Sequence, residues 1–220
     1  MSPLNTTRLL IRLFEMPVMR VRHEPAAADR IPATKRAFDL VASAGALALL
    51  APACAVISVL IKRGSPGPVF YRQQRVGLRG RTFEFLKFRS MTVGNDAGEH
   101  QQYVCELIQS GAGDDELSCT DVWGRPVFKL AEDERVTPIG RFLRKYSLDE
   151  LPQFWNVLKG DMSMVGPRPA LEYEVAAYKP WHRRLLEVAP GVSGLWQVAG
   201  RSRVGFDEMV FQDIIYAYNQ

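Results

Sequence analysis

Leu40 to Ile61 reads LVASAGALALLAPACAVISVLI, 22 residues without a charge, and the folding of that run decides the architecture of the chain. A helix needs about 20 such residues to cross the hydrocarbon core of a bilayer, so the length suits a membrane. A spanning helix and a buried core helix are both open on length alone. Three features favour a helical hairpin that enters one leaflet and returns. Pro52 stands near the middle, where its ring removes a helical hydrogen bond and bends the axis, so each half reaches only halfway across. Lys35 and Arg36 precede the run and Lys62 and Arg63 follow it; positive residues keep to the cytoplasmic side, so both ends prefer one side. Ala42, Ser43, Ala44, Gly45, Ala46, Ala48, Ala51, Ala53 and Ala55 are small enough for two half-helices to approach closely.

Outward from this hairpin, taken as residues 35–63, the chain divides into a leading segment and a larger domain. Residues 1–34 are basic, with Leu9, Leu10, Ile11, Leu13 and Phe14 crowded into the first half; a surface-lying helix and a disordered or targeting segment fit equally. Residues 64–220 form the larger domain. Within it, GSPGP is a turn, and PVFYRQQRV and TFEFLKFRSM are strands of a hairpin joined through Gly77 and Gly80. Residues 93–127 are polar and Gly-rich and read as an insertion. Helical patterns follow at Thr137 to Tyr146, Asp149 to Lys159, Ala170 to Val188 and Phe206 to Tyr218, while GVSGLWQVAG reads as a loop with a short strand. Helices outnumber a small sheet and do not alternate regularly with strands. The expected class is therefore α+β, a small helix-rich cytoplasmic domain with a short β-hairpin, anchored by an N-terminal re-entrant membrane helix hairpin.

Composition narrows the chemistry. The 220 residues carry 28 Lys and Arg against 24 Asp and Glu, a net charge of +4, which favours negatively charged partners. Cys54, Cys105 and Cys119 show no metal or disulfide spacing, and His23, His100 and His182 form no zinc motif and no convincing triad base. Acid-base or nucleophilic work therefore falls to carboxylates.

The densest constellation is RFLRKYSLDELPQFWNVLKGDMSMVGPRP, where Asp149 and Glu150 lie between a basic cluster and Arg168. Pro152 fits a helix only in its first turn, so the helix begins near Asp149, with its carboxylate among unpaired N–H groups. Ser147 and Glu150 also have capping-box spacing, and Asp149 could be an ordinary cap. Against that stand Arg144, Lys145 and Arg168, more positive charge than a cap needs and suited to a diphosphate. A carboxylate facing phosphorus among cations serves as nucleophile or metal ligand. Lys87 and Arg89, two apart in FEFLKFRSM, share a strand face and are either phosphate-binding or solvated. Pro167 and Pro169 hold the backbone around Arg168 extended, which presents a pre-organised guanidinium or simply makes a turn.

KRAFD before the hairpin, LAP within it, KFRSM, SLDELPQFWNVLKGDMSMVGPRP, PGVSGLWQVAGR and the closing helix together resemble the bacterial sugar transferase family, from Lys35 to about Tyr218. These are the monotopic polyprenyl-phosphate phosphoglycosyl transferases, among them the undecaprenyl-phosphate hexose-1-phosphate transferases. The resemblance implies a re-entrant helix at the cytoplasmic face of the bacterial inner membrane. It implies transfer of a sugar 1-phosphate from a UDP-sugar to undecaprenyl phosphate, with release of UMP, as the first membrane step of exopolysaccharide or glycoconjugate synthesis. Mg²⁺ is the expected cofactor. Asp149 takes the family's nucleophile position, and Glu150 that of a neighbour in metal binding or proton transfer; Lys87, Arg144 and Arg168 match its phosphate-binding positions.

Two departures stand out. Family members often carry Ser before the hairpin Pro, where this chain has Ala51, and they usually continue past the last helix, where this chain stops at Gln220; a truncated form is one expectation. The GLWQVAGRSRVGFDEM pattern and the insertion resemble members that transfer a hexose phosphate, glucose or galactose. A homodimer stays open. The competing function is a membrane-tethered module that grips anionic lipid or nucleic acid without chemistry. Asp149 and Glu150 in the middle of the positive region oppose it, and no nucleic-acid motif is present, so nucleic acid is not an expected partner. An inactive member of the same fold is the third alternative.

Overall fold

The computed structural model describes residues 31–92, 135–199 and 206–218; the insertion at 93–127 and nearly all of the basic leading segment lie outside the described residues. The apolar run forms α1, Ala33–Gly64, a single uninterrupted 32-residue helix with Pro52 inside it, long and apolar enough to cross a membrane. Its buried positions are Asp39 and Ser43 near one end and Ile57 and Ile61 near the other, while Val41, Leu49, Val56 and Val59 stand exposed between and around them. An exposed apolar surface of this kind is what a lipid-facing helix presents.

Both ends of α1 are fastened to the rest of the chain. Near its start, Arg36 donates to the carbonyls of Val157 and Leu158, and Lys35 Nζ donates to Val165 O at 2.8 Å. Asp39 accepts from Met164 N–H at 2.9 Å and from the Ser163 hydroxyl at 3.1 Å. At its far end Ile57 and Ile61 join Phe88 and Leu143 in one apolar cluster, with Cys54, Leu148 and Leu151 packed against it.

The expected hairpin follows as β1, Phe70–Val76, and β2, Thr82–Phe88, antiparallel, with Gln73 opposite Phe85 and Tyr71 opposite Lys87. Side chains of Tyr71, Gln73 and Arg75 therefore share one face with Phe83, Phe85 and Lys87. Helix α2, Pro138–Lys145, opens with Thr137 as a cap that accepts from Gly140 N–H and with Pro138 at its first position. A 3₁₀ turn, Leu148–Glu150, precedes α3, Gln153–Lys159. The α-helix thus starts four residues later than Asp149, because Pro152 occupies the cap position and has no N–H to extend the helix backwards.

Asn156, fully buried on α3, accepts from Leu86 N–H at 3.1 Å and donates to Glu84 O at 2.7 Å, so its amide replaces a neighbouring strand along β2. A second sheet pairs β3, Ser163–Val165, in parallel with β4, Gly191–Ser193.

The helix expected over Ala170 to Val188 is broken: α4 covers Glu172–Ala177 and a 3₁₀ turn covers His182–Glu187, since Pro180 falls between them and cannot donate. GLWQVA, expected as loop, winds into α5, Leu195–Ala199. The last helix, α6, spans Phe206–Tyr218, the expected bounds. It packs Val210 and Ile214 against Trp181, and Asp207 meets Lys179 Nζ at 2.9 Å and His182 Nε2 at 3.0 Å. His182 Nδ1 accepts from Lys179 N–H, so Nε2 carries the proton given to Asp207.

Candidate active site

The site begins in the 3₁₀ turn. Ser147 adopts a left-handed conformation, φ 55°, and caps nothing with its side chain, so the capping-box alternative does not describe this turn. Asp149 lies inside the turn rather than at a cap and is 8% exposed. Among the described residues no hydrogen-bond donor is recorded on its carboxylate. Glu150, beside it, is held by Lys87 Nζ at 2.8 Å, with both side chains about one-third exposed. Leu148 and Leu151 flank the carboxylates and pack on the cluster that contains Ile57 and Ile61. The turn that carries Asp149 is therefore seated, through these two leucines, on the cluster at the end of α1.

Of the other expected residues, Arg144 is exposed on α2, where its Nε donates to Ser90 Oγ at 2.9 Å just beyond β2. Arg89 points elsewhere: its two amino groups donate to the carbonyls of Ser65 and Pro66, at the end of α1, and the residue is buried. Arg168 does not touch the carboxylates, but a row of contacts along the hairpin face leads from them to its loop. Lys87 Nζ lies 5.4 Å from the centroid of the Phe85 ring, and the Arg75 guanidinium lies 5.3 Å from the same centroid. Arg75 then donates to Pro169 O at 3.0 Å.

The GPRP loop is pinned by backbone bonds on two sides. Gly166 N–H donates to Ser193 O at 2.9 Å, Gly191 N–H to Pro167 O at 2.8 Å, and Val76 N–H to Ala170 O at 2.8 Å. Gly166 and Gly191 cross so closely that a Cβ on Gly191 would sit 2.1 Å from Gly166 N, which is why both motifs carry glycine there. From α6, the buried Asp213 faces the N–H groups of Arg168, Trp196 and Leu195. Burial pushes its carboxyl up to about 7, and those N–H groups pull in the opposite direction. Arg168 itself stays exposed between these fixed points.

Sequence reasoning missed Arg75, Asn156 and Asp213. Asn156 left a signal, a lone amide between apolar neighbours in QFWNVL; the other two depend on contacts between residues far apart in the chain. No group of three or more His, Cys, Asp or Glu gathers among the described residues, so a metal would have the Asp149 and Glu150 carboxylates and not a complete protein cage.

Comparison with known proteins places the chain in a family. The model of the bacterial sugar transferase family matches residues 30–220. The undecaprenyl-phosphate galactose phosphotransferase of Salmonella typhimurium is 40% identical over 216 residues, covering 98% of this chain and 42% of that protein. The exopolysaccharide production protein ExoY of Rhizobium meliloti is 40% identical over 185 residues, 84% of this chain and 77% of that protein. The UDP-glucose:undecaprenyl-phosphate glucose-1-phosphate transferase of Escherichia coli is 38% identical over 173 residues, 76% of this chain and 31% of that protein. The chain spans less than half the length of the first and third of these relatives. With that family model matching residues 30–220, the chain belongs to the bacterial sugar transferase family.

Proposed function

We propose that this chain is the catalytic part of a phosphoglycosyl transferase that moves a hexose 1-phosphate, glucose or galactose, from a UDP-sugar to undecaprenyl phosphate and releases UMP. It would act at the cytoplasmic face of the bacterial inner membrane, at the first membrane step of exopolysaccharide synthesis. The observation that carries this reading is Asp149, buried beside the Lys87–Glu150 pair in a turn whose leucines pack on the cluster at the end of the apolar helix. A lipid phosphate at the bilayer surface and a soluble nucleotide sugar can both reach such a position.

In the first step a carboxylate oxygen of Asp149 attacks the sugar-bearing phosphorus of the UDP-sugar. The bond from that phosphorus to the bridging oxygen breaks, and UMP leaves with the oxygen and its electron pair. In the second step a phosphate oxygen of the lipid attacks the same phosphorus and frees the Asp149 carboxylate. Splitting the transfer in this way keeps two bulky phosphates from meeting in one transition state. Lys87, Arg144 and Arg168 meet the phosphoryl oxygens as charge builds on them. Mg²⁺ fits Asp149 and Glu150, because it is held by one or two carboxylates and completes its shell with water and substrate phosphate. When bound it supplies Lewis-acid neutralisation of the phosphates.

The re-entrant form of α1 is part of the same proposal. A straight helix would set Arg36 and Ile61 about 37 Å apart. Arg36 bonds to Val157, the adjacent Asn156 bonds to Leu86, and Phe88 shares a cluster with Ile61. That short route through the domain supports a bend at Pro52, with both ends on the cytoplasmic side. A panel of UDP-sugars, each incubated with the chain, undecaprenyl phosphate and Mg²⁺, tests the reaction: UMP should appear with UDP-glucose or UDP-galactose and only when lipid phosphate is present. Absence of UMP with every sugar would overturn it.

A further inference from the structure

Arg75 is the one buried guanidinium on the inner face of the hairpin, and burying such a cation is costly unless its donors are satisfied and its position is needed. Its Nη1 donates to Pro169 O at 3.0 Å and its Nε to Gln73 Oε1 at 3.0 Å, while its plane lies over Phe85. A purely structural tie between β1 and this loop already exists in the Val76–Ala170 backbone bond, one residue further along each strand. The extra tie is cationic, and it stands close enough to Arg168 for the two charges to repel. Burial and Arg168 together draw Arg75 down to about 10, so it remains charged at neutral pH.

We propose that Arg75 is a positioning residue for the donor diphosphate: by holding the Pro169 carbonyl it sets the direction of Arg168, and through Phe85 it fixes that guanidinium relative to Lys87 and Glu150. This rests on the reading that Arg168 meets the phosphates of the UDP-sugar. An anion held by Arg168 would also feel the attraction of the Arg75 charge near it. On the other side of the loop Asp213 faces the Arg168 N–H, and the Pro169 carbonyl is the group that Arg75 holds.

The test is a double-mutant cycle on the whole chain with UDP-sugar and undecaprenyl phosphate. Arg75→Met should raise KM for the UDP-sugar about tenfold with a smaller change in kcat, the size of one lost charge-assisted hydrogen bond. Because Arg75 acts through Arg168, adding Arg75→Met to Arg168→Met should cost little more than Arg168→Met alone. Arg75→Lys, which keeps the charge and one donor, should fall between parent and Met, and it serves in the same cycle if the Met variant does not fold. Independent, multiplying losses in the cycle, or an unchanged KM in folded Arg75→Met, would overturn the proposal. Labelling of Asp149 by UDP-sugar at saturating concentration should survive in Arg75→Met; its absence in the parent protein would instead count against the reaction itself.

Discussion

At the scale of single residues, charge is placed by burial as much as by sequence. Arg89 and Lys87 lie two apart, yet Lys87 meets Glu150 at the surface while Arg89 turns inward to the carbonyls that end α1. Asp213 shows the energetic consequence of burial. Its folded pKa of about 7 lies above the ordinary value of 3.8, so between those pH values the folded chain binds a proton that the unfolded chain has released. Its contribution to stability is therefore fully present below about pH 4, declines as pH rises to about 7, and is flat beyond. Asp213→Asn should flatten this part of the pH profile relative to the parent, read as the difference in thermal midpoint between pH 4.5 and pH 8. A parallel profile in the variant would remove Asp213 as the titrating group. The carboxylate pair and Lys87 were legible from residue type and spacing. Arg75 and Asp213 were not, because their roles arise from a hairpin meeting a loop and from a C-terminal helix meeting the same loop.

At the scale of elements, legibility followed the local signals. Alternation and the Gly77–Gly80 turn gave β1 and β2, and amphipathic spacing gave α6 with its bounds. Two departures occur at prolines: Pro152 delays α3 and Pro180 splits the helix after Ala170, since each ring removes a donor that the continuous pattern assumed. Pro52 is the instructive contrast, because α1 runs through it without interruption. Membrane helices tolerate such a residue at the cost of a bend. In the proposed re-entrant form, replacing it with Leu removes the bend and keeps the apolar length, so Pro52→Leu should shift α1 toward a spanning form. Labels placed before Lys35 and after Arg63 would then report opposite sides of the membrane in the variant and the cytoplasmic side alone in the parent. Unchanged labelling in the variant would give the flanking charges the decisive role, and opposite sides in the parent would end the re-entrant reading.

At the scale of the whole molecule, the apolar helix and the hairpin meet near a turn of three residues, and the hairpin face leads on to the GPRP loop. Leu148 and Leu151 seat that turn on α1, Lys87 holds Glu150 from β2, and the hairpin face carries the arrangement on to the GPRP loop. Asp149 lies in that turn, where the proposed reaction needs a nucleophile within reach of both a lipid phosphate and a nucleotide sugar. The most direct measurement incubates the chain with UDP-sugar labelled in the phosphate next to the sugar, without lipid, and follows transfer of label to protein. The parent should take up sugar phosphate and release UMP, and Asp149→Asn, which preserves the size and polarity of the side chain, should take up none. Equal labelling of the two proteins, or full transferase activity in the variant, would contradict the account.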